Sequence, residues 1–260
     1  MICLRGKTIV VMGGTTGLGL SAARAFIAAG ANVVVVGRSE ANVEKAIAEL
    51  GPSAFGQSGD ARDPGTAAAI IDLAVDRFGG FSGLYHVAGG SGRRMGDGPL
   101  HEITDEGWDE TLRLNLTSVF YSNRAAVKWF RENSVPGSIL NCGSVLGSSP
   151  AAEHFGTHAY AAAKSALIGF TRSCAATYAK EHIRFNVVAP ALVATPMSAR
   201  AQTDDVILNY ARAKQPLAPD GIGDPADVDG IAVYFMSDAA RGVTGQVFAV
   251  DWGWGVSESG

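Results

Sequence analysis

A short apolar segment that leads into a glycine-rich turn and then into a helical pattern constrains this chain most. Thr8–Met12 is apolar and β-branched, Gly13, Gly17 and Gly19 follow it, and a helical stretch extends to Ala29. Glycines at the start of a helix let backbone N–H groups and the helix N-terminus approach a pyrophosphate. The pattern predicts a βα unit with a dinucleotide site, although its Gly-x-x-x-Gly-x-Gly spacing also fits a glycine turn that holds no ligand.

Strand-like and helical segments alternate along the rest of the chain. Val33–Val36 consists of four valines, which is typical of a strand buried on both faces. Strands that alternate with helices imply a parallel sheet covered on both faces, with ligands at the carboxyl ends of the strands. The other predicted strands are 54–59, 84–88, 138–142, 183–188 and 246–250, and the predicted helices are 40–50, 64–78, 104–133, 157–180 and 225–237, with a mobile helical flap at 197–214.

Composition indicates one soluble domain that spans 1–260. The length of 260 residues, with 47% hydrophobic and 18% charged residues, fits one large domain better than two. A formal net charge of -4 argues against binding to nucleic acid or to an anionic membrane surface. No apolar run approaches the ~20 residues of a transmembrane helix, and the N-terminal residues lack a signal-peptide layout, so we expect a cytoplasmic protein. The three cysteines show no metal-ligand pattern, and we expect inert thiols and no metal.

The end of the second strand indicates the cofactor. Gly37 and Arg38 occupy the region where an acidic residue would hold the ribose hydroxyls of NAD and an arginine would accommodate the 2′-phosphate of NADP. We therefore expect a preference for NADP, with NAD possible, and Arg24 as a second cation that could converge on the phosphate. Arg38 could instead be an exposed loop cation. Asp60, after the third strand, could contact the adenine or simply cap the next turn.

Tyr160 and Lys164 are separated by three alanines, so they share one face of a helix. An ammonium beside a phenol favours the phenolate and should lower a tyrosine pKa that starts at about 10. Such a tyrosine can give a proton to an alkoxide and take it back. The spacing alone is a weak signal, and its strength comes from its position downstream of the glycine turn.

The order of these motifs resembles that of the short-chain dehydrogenases/reductases, in their single-domain branch. The resemblance implies a Rossmann fold with a doubly wound, seven-stranded parallel sheet, a nicotinamide cofactor, interconversion of a small-molecule carbonyl and alcohol, and usually a homotetramer. The segments that carry it are Met12–Gly19, His86–Gly89, Asn115, Ser144, Tyr160-x-x-x-Lys164, Pro190, Thr195–Met197 and Asp251.

The resemblance also implies roles for four polar residues. Tyr160 would be the acid/base, Lys164 would lower its pKa and bind the nicotinamide ribose, Ser144 would hydrogen-bond the substrate oxygen, and Asn115 would hold a water in the proton relay. Ser144 could instead be only a turn residue, Asn115 a packing residue and Lys164 a solvated lysine. The residues expected at the cofactor, with Thr195 and the backbone near Val193 at its carboxamide, are Gly13, Thr15, Thr16, Gly17, Leu18, Gly19, Arg38, Asp60, Ala61, Ala88, Gly89, Tyr160, Lys164, Pro190, Val193 and Thr195.

Some positions depart from the family's pattern. His86-Val87 replaces Asn-Asn, so a side-chain bond behind the nicotinamide is either lost or remade by His86. The segment between Ser144 and Tyr160 is longer than usual, and its extra length, 148–158, falls where the substrate would lie. These departures leave the substrate open. Met12, Ala191 and Trp252 also replace usual family residues.

Two other functions stay open. A 3-oxoacyl-carrier-protein reductase shares all these motifs, and its acidic carrier would need a basic surface such as Arg93-Arg94, which could equally be two solvated arginines. A non-catalytic cofactor-binding protein is the alternative of another class, and a broken set of the four polar residues would indicate it. A tetramer is expected because the helices predicted at 104–133 and 157–180 carry apolar residues on more than one face, such as Trp129, Phe130, Leu167, Phe170 and Tyr178.

Overall fold

The computed structural model describes residues 2–151 and 154–258, whose strands form one parallel sheet. The sheet has seven strands in the order β3-β2-β1-β4-β5-β6-β7, and this confirms the predicted doubly wound α/β fold. The strands are β1 Thr8–Met12, β2 Asn32–Gly37, β3 Ala54–Ser58, β4 Gly83–His86, β5 Gly137–Cys142, β6 Ile183–Pro190 and β7 Val247–Val250. The α-helices are α1 Gly17–Ala28, α2 Glu40–Leu50, α3 Thr66–Phe78, α4 Asp105–Leu112, α5 Ser118–Glu132, α6 His158–Tyr178, α7 Ala199–Gln202, α8 Asp205–Lys214 and α9 Asp229–Met236.

The valines of β2 contribute to a core on each side of the sheet, because successive side chains of a strand point to opposite faces. Val33 and Val35 pack in one cluster with Phe26 of α1 and Phe235 of α9. Val34 and its neighbour Val36 pack in the other, with side chains of α3 and α5. Both faces of the sheet are therefore covered at β2, which explains why the sequence of this strand is apolar at successive positions.

The helix predicted at 104–133 is interrupted. A turn of π-helix at Arg113–Thr117 separates α4 from α5, and Asn115 lies within it. The Asn115 amide bonds to backbone groups, which competes with regular helical bonding and accounts for the interruption.

The loops that follow β1 and β4 meet at the edge of the sheet where the strand order reverses. In doubly wound sheets this switch point is where ligands bind. The predicted flap at 197–214 contains α7 and α8, and the segment predicted as a helix from 225 begins with a short 3-10 turn at Pro225–Val228 before α9. No helix in the described part of the chain is long and apolar enough to span a bilayer.

Candidate active site

The first turn of α6 carries Tyr160 and is capped from a distant loop. Asp97, which is buried, accepts hydrogen bonds from the backbone N–H groups of Ala159 at 3.0 Å and Tyr160 at 2.9 Å. An aspartate at this place satisfies otherwise free helix donors and complements the positive end of the helix dipole. Asp97 therefore fixes the position from which the Tyr160 side chain projects.

Lys164 lies one helical turn beyond Tyr160 and is buried. Its Nζ donates to the backbone oxygen of Cys142, the last residue of β5, at 2.7 Å, and lies 5.5 Å from the centroid of the Tyr160 ring. Burial lowers the pKa of Lys164, whereas Cys142 raises it. The lysine is thus a buried residue of the site and not a solvated helix lysine.

The Tyr160 hydroxyl does not show the lowered pKa that its spacing from Lys164 predicted. Burial raises the pKa of Tyr160 above its ordinary value and Cys142 adds to the rise, whereas a hydrogen bond with Ser144 lowers it. The prediction was wrong because burial of the phenol outweighs the hydrogen bond with Ser144, and the Lys164 ammonium donates to the Cys142 carbonyl. In this structure Ser144 is the group that favours the phenolate.

Ser144 lies just beyond the carboxyl end of β5, where sheet topology places ligands. It is buried, and its Oγ accepts a hydrogen bond from the backbone N–H of Leu146 at 3.2 Å. This bond holds the oxygen while its own proton remains available for another acceptor. Ser144 is therefore both a turn residue and a partner of Tyr160.

Asn115 is fully buried and connects the π-turn to the loop after β4. Its Oδ1 accepts from the Gly90 N–H at 3.1 Å, and its Nδ2 donates to the backbone oxygens of Gly90 at 2.9 Å and Thr111 at 3.0 Å. Both amide protons are therefore used. A Cβ on Gly89 would lie 2.8 Å from Asn115 Oδ1 and 3.6 Å from Lys164 Nζ, so the glycine permits the close approach of these two side chains.

The glycine turn after β1 requires glycine at two positions for different reasons. Gly13 has a φ of +84° and a Cβ there would lie 2.7 Å from the backbone nitrogen of Ala88. A Cβ on Gly19 would lie 2.1 Å from the Gly13 oxygen, so the helix packs directly on the turn. Thr16 precedes α1 in an extended conformation, and no described side chain caps the helix. The first N–H groups of α1 are therefore available to an anion, which fits the pyrophosphate of a dinucleotide.

The part of the expected dinucleotide site that follows β2 and β3 contains Gly37, Arg38 and Asp60. A Cβ on Gly37 would lie 2.4 Å from the Thr15 hydroxyl, so the glycine turn packs on the end of β2. Arg38 is exposed, and the pKa of Asp60 is lowered mainly by its hydrogen bond with Arg62 and least by Arg38. Asp60 accepts from the backbone N–H of Arg62 at 2.9 Å and forms an ion pair with its guanidinium at 2.7 Å. Asp60 therefore caps its own turn, and its neighbour Ala61 is buried in the core.

The predicted convergence of Arg24 with Arg38 is not observed, because the Arg24 guanidinium forms an ion pair with Glu49 of α2. Arg38 remains the cation at the end of β2 for which the described residues provide no hydrogen-bond partner or ion pair.

The segment after β6 brings the expected carboxamide side of the site against the glycine turn. A Cβ on Gly17 would lie 3.2 Å from the Thr195 side chain. Thr195 begins a short 3-10 turn, in which its N–H donates to Ser198 Oγ at 3.0 Å. Val193 is buried and pairs with Gly223 through an isolated β-bridge. The two residues expected at the carboxamide, Val193 and Thr195, thus follow Pro190, the last residue of β6, at the carboxyl end of that strand.

The side chain of His86 forms buried hydrogen bonds, which the replacement of the family's Asn-Asn by His86-Val87 had left uncertain. Its Nδ1 lies 2.7 Å from Ser122 Oγ, and its Nε2 lies 3.2 Å from the Ala88 oxygen and 3.3 Å from Ser118 Oγ. The Ala88 carbonyl can only accept, so the contact favours a proton on Nε2. Burial lowers the pKa of His86 to about 3, and Lys164 contributes to the shift, so the ring is neutral at neutral pH.

Two tertiary contacts around the site were not predicted. Asp97 was missed because nothing local connects it with a helix that begins 61 residues later, although an aspartate between glycines is a common turn signal. Arg200 was missed because only the fold brings it to Arg93: both guanidinium groups donate to the backbone oxygen of His154. Arg94, the expected partner of Arg93, is exposed and makes no hydrogen bond within 2–151 and 154–258.

Comparisons with known proteins agree with this geometry. A family model described as Enoyl-(Acyl carrier protein) reductase matches residues 13–255. A protein of Xanthobacter autotrophicus named inactive 2-(S)-hydroxypropyl-CoM dehydrogenase 2 is 37% identical, over 89% of this chain and 98% of its own. The D-beta-hydroxybutyrate dehydrogenase of Cupriavidus necator is 33% identical, over 96% of this chain and 98% of its own.

A solved structure agrees over the whole fold. The short-chain type dehydrogenase/reductase from Mycobacterium ulcerans superposes with a TM-score of 0.90 at 28% identity, over 99% of this chain and 93% of its own. Matches to the family model, to relatives above 30% identity and to this structure all span nearly the entire chain. The chain belongs to the short-chain dehydrogenases/reductases, NAD(P)-dependent oxidoreductases that interconvert a carbonyl and an alcohol.

Proposed function

We propose that this chain is a single-domain carbonyl reductase or alcohol dehydrogenase in which Tyr160 transfers the proton. The observation that carries the proposal is the meeting of three segments around Tyr160. Lys164 donates to the end of β5, Ser144 follows that strand and bonds to Tyr160, and Asn115 holds the loop beside Lys164. All four polar residues are present, which argues against a non-catalytic binding protein.

A bound nicotinamide would supply or accept the hydride. Negative charge then develops on the carbonyl oxygen during reduction, and donors aimed there in advance stabilise the transition state. The Ser144 hydroxyl and the Tyr160 hydroxyl are the donors available at the carboxyl end of β5. Tyr160 gives its proton to the oxygen as the alcohol forms, and the hydrogen bond with Ser144 favours the phenolate that remains.

The proposed cofactor is NADP, with NAD as the weaker alternative. The uncapped start of α1 and the close packing of Gly13 on Ala88 fit a dinucleotide along the switch point. Arg38 follows β2 and forms no ion pair within the described residues, although it acts weakly on Asp60, and an arginine at this place suits the 2′-phosphate. The residues that would hold the cofactor are those expected from the sequence, except that Asp60 is engaged by Arg62.

Replacement of Tyr160 by phenylalanine tests the function. Tyr160→Phe removes only the transferable proton, so we expect kcat for any accepted carbonyl to fall by about 10²-fold or more, with the cofactor Kd unchanged. Tyr178→Phe is the matched control, because Tyr178 lies at the end of the same helix and packs against Phe185. Near wild-type turnover by Tyr160→Phe would contradict the proposal.

We also propose that the chain forms a homotetramer, on a different surface from the one first expected. Trp129 and Tyr178 pack within the chain's own core, and Leu167 is fully buried. The exposed apolar side chains of the long interrupted helix are Trp108, 38% exposed, and Phe120, 40% exposed. If these two side chains were buried between copies of the chain, their apolar surface would be removed from water. Light scattering at micromolar concentration tests this, and a monomer would contradict it.

A carrier-bound 3-oxoacyl substrate is the second candidate, because a relative that is 34% identical over 96% of this chain is named a putative ketoacyl reductase of a polyketide synthase. Turnover of a carrier-bound 3-oxoacyl group that exceeds turnover of the same acyl group without the carrier would favour it. Equal or lower turnover would favour a small free substrate.

A further inference from the structure

Two arginines from different segments direct their guanidinium groups at one backbone oxygen. Arg93 Nη2 donates to the His154 oxygen at 2.7 Å, and Arg200 Nη2 donates to the same oxygen at 3.0 Å. Arg93 belongs to the loop after β4, Arg200 belongs to α7, and His154 lies between Ser144 and Tyr160 in the chain. Two positive charges therefore meet on the segment that joins two catalytic residues.

The loop that carries Arg93 is held against the catalytic helix. Arg93–Met95 forms one helical turn, and the Asp97 N–H donates to the Gly92 oxygen at 3.1 Å, so the loop is closed on itself. Asp97 also accepts from the backbone N–H of Tyr160. The compact loop therefore keeps Arg93 close to the start of α6.

The residue after His154, Phe155, packs against aromatic side chains of α8 and of the segment after β7. Phe155 contacts Tyr210 and Trp254 with ring centroids 6.1 Å and 5.5 Å apart. The same apolar cluster contains Val145, the residue after Ser144. The oxygen that the two guanidinium groups share therefore belongs to the residue before Phe155, and Phe155 packs in a cluster that includes the neighbour of Ser144.

The positive charges of this pair are not neutralised by the described residues. Neither Arg93 nor Arg200 forms an ion pair with an acidic side chain within 2–151 and 154–258. Partial burial and the like charge of Arg200 lower the pKa of Arg93, while Asp97 raises it. The acceptor that the arginines share is a neutral carbonyl, which leaves the repulsion between them in place.

We propose that Arg93 and Arg200 bind the anionic end of the substrate, a carboxylate or a comparable oxyanion, while its carbonyl or alcohol lies at Ser144 and Tyr160. This rests on the proposed function. A carboxylate has two oxygens and can accept charge-assisted bonds from both guanidinium groups, whereas the His154 oxygen is a single neutral acceptor. All three arginines are exposed, but Arg94 takes no part, because within the described residues it makes no hydrogen bond to the oxygen that Arg93 and Arg200 share.

A purely structural role for the pair predicts something different. If the arginines only connected the loop after β4, the 154–155 segment and α7, their loss would lower kcat/KM equally for charged and neutral substrates. An anion site affects only the charged form, so a comparison of each acid with its uncharged ester separates the two roles.

The experiment measures kcat/KM for acetoacetate, levulinate and the next longer oxo acid, each against its methyl ester, in the wild type and in Arg93→Met, Arg200→Met and Arg94→Met. We expect the wild type to prefer the acid for at least one chain length. Arg93→Met and Arg200→Met should each lower that preference by about ten-fold or more, with ester turnover nearly unchanged. Arg94→Met should change it by less than about two-fold, and added salt should weaken the wild-type preference.

Several results would overturn the anion site. One is a wild-type kcat/KM that is higher for the ester than for the acid at every chain length. Another is a fall in kcat/KM that is equal for acid and ester in Arg93→Met and Arg200→Met. A third is a loss of the preference for the acid in Arg94→Met that is as large as in the other two variants. Calorimetry of acid and ester binding to the enzyme with saturating cofactor gives the same comparison without turnover, and the same preference is expected. Full turnover by Tyr160→Phe contradicts the proposed function instead, and binding that prefers the acid would then still support the arginine pair.

Discussion

The carboxylate of Asp97 accepts a hydrogen bond from the backbone N–H of Tyr160 at 2.9 Å. A residue from the loop after β4 therefore caps the helix that carries the catalytic tyrosine, across 63 positions of the chain. Because catalysis depends on placement to within fractions of an ångström, a cap at this position has consequences for turnover as well as for stability.

We predict that Asp97→Ala lowers kcat by about ten-fold, because loss of the cap lets the first turn of α6 move. The free energy of unfolding should fall by about 1 kcal/mol, as for other lost helix caps. Asp63→Ala is the control, since Asp63 accepts a backbone hydrogen bond from Gly65 in an exposed turn away from the site. A loss of stability in Asp97→Ala with kcat unchanged would restrict Asp97 to a structural role.

The Arg38 guanidinium should determine which of the two nicotinamide cofactors has the lower Kd. We expect NADPH to bind more tightly than NADH and Arg38→Asp to reverse the order, because a charge-assisted bond to the 2′-phosphate contributes roughly 1.5–3 kcal/mol. Arg24→Gln should leave the ratio of the two Kd values nearly unchanged, since Arg24 is paired with Glu49. Fluorescence titration at moderate salt measures both ratios, and equal affinities in the wild type would remove the case for Arg38.

Burial of His86 should make the protein less stable in mild acid. Its pKa is about 3 in the folded protein and about 6.5 in the unfolded chain, so below pH 6.5 the unfolded chain binds the extra proton. The free energy of unfolding should therefore lose about 2 kcal/mol from this group between pH 7 and pH 5. Denaturant titrations should show that His86→Asn lacks this loss. His101→Asn, at an exposed position, should retain it.

The Asp229 carboxyl should give the free energy of unfolding a pH dependence opposite to that from His86. Ser21 donates to its Oδ2 at 2.7 Å, its Oδ1 is buried without a partner in the described structure, and burial raises the pKa of Asp229 to about 6. Between pH 3.8 and about 6 the folded protein holds a proton that the unfolded chain has released, so stability falls as the pH rises through this window.

The stability of Asp229→Asn relative to the wild type should therefore increase between pH 4.5 and pH 7.5. The increase should be about 1 kcal/mol, since partial exposure of the carboxyl screens the full effect. Asp109→Asn, on the exposed face of α4, should show no such increase. A parallel pH dependence for wild type and Asp229→Asn would contradict the burial argument.

The fold was predictable because its signals are local and repeated. Four successive valines indicate a strand buried on both faces, glycines mark the turn that must lie close to Ala88, and alternation of strands and helices admits few topologies. The family resemblance also named Ser144, Tyr160 and Lys164 by position. The interruption of the helix at Asn115 was not predicted, because it depends on a bond to Gly90 that only the folded chain makes.

By itself the sequence determined the order of strands and helices, the dinucleotide turn and the identity of the polar residues at the carboxyl edge. Tertiary structure decided their electrostatics. Lys164 bonds to the Cys142 carbonyl and burial raises the pKa of Tyr160, and Arg93 shares an acceptor with Arg200 and not with its neighbour Arg94. The physical reason is that periodicity and turn chemistry act over a few residues, whereas burial and charge depend on which distant segments the fold brings together.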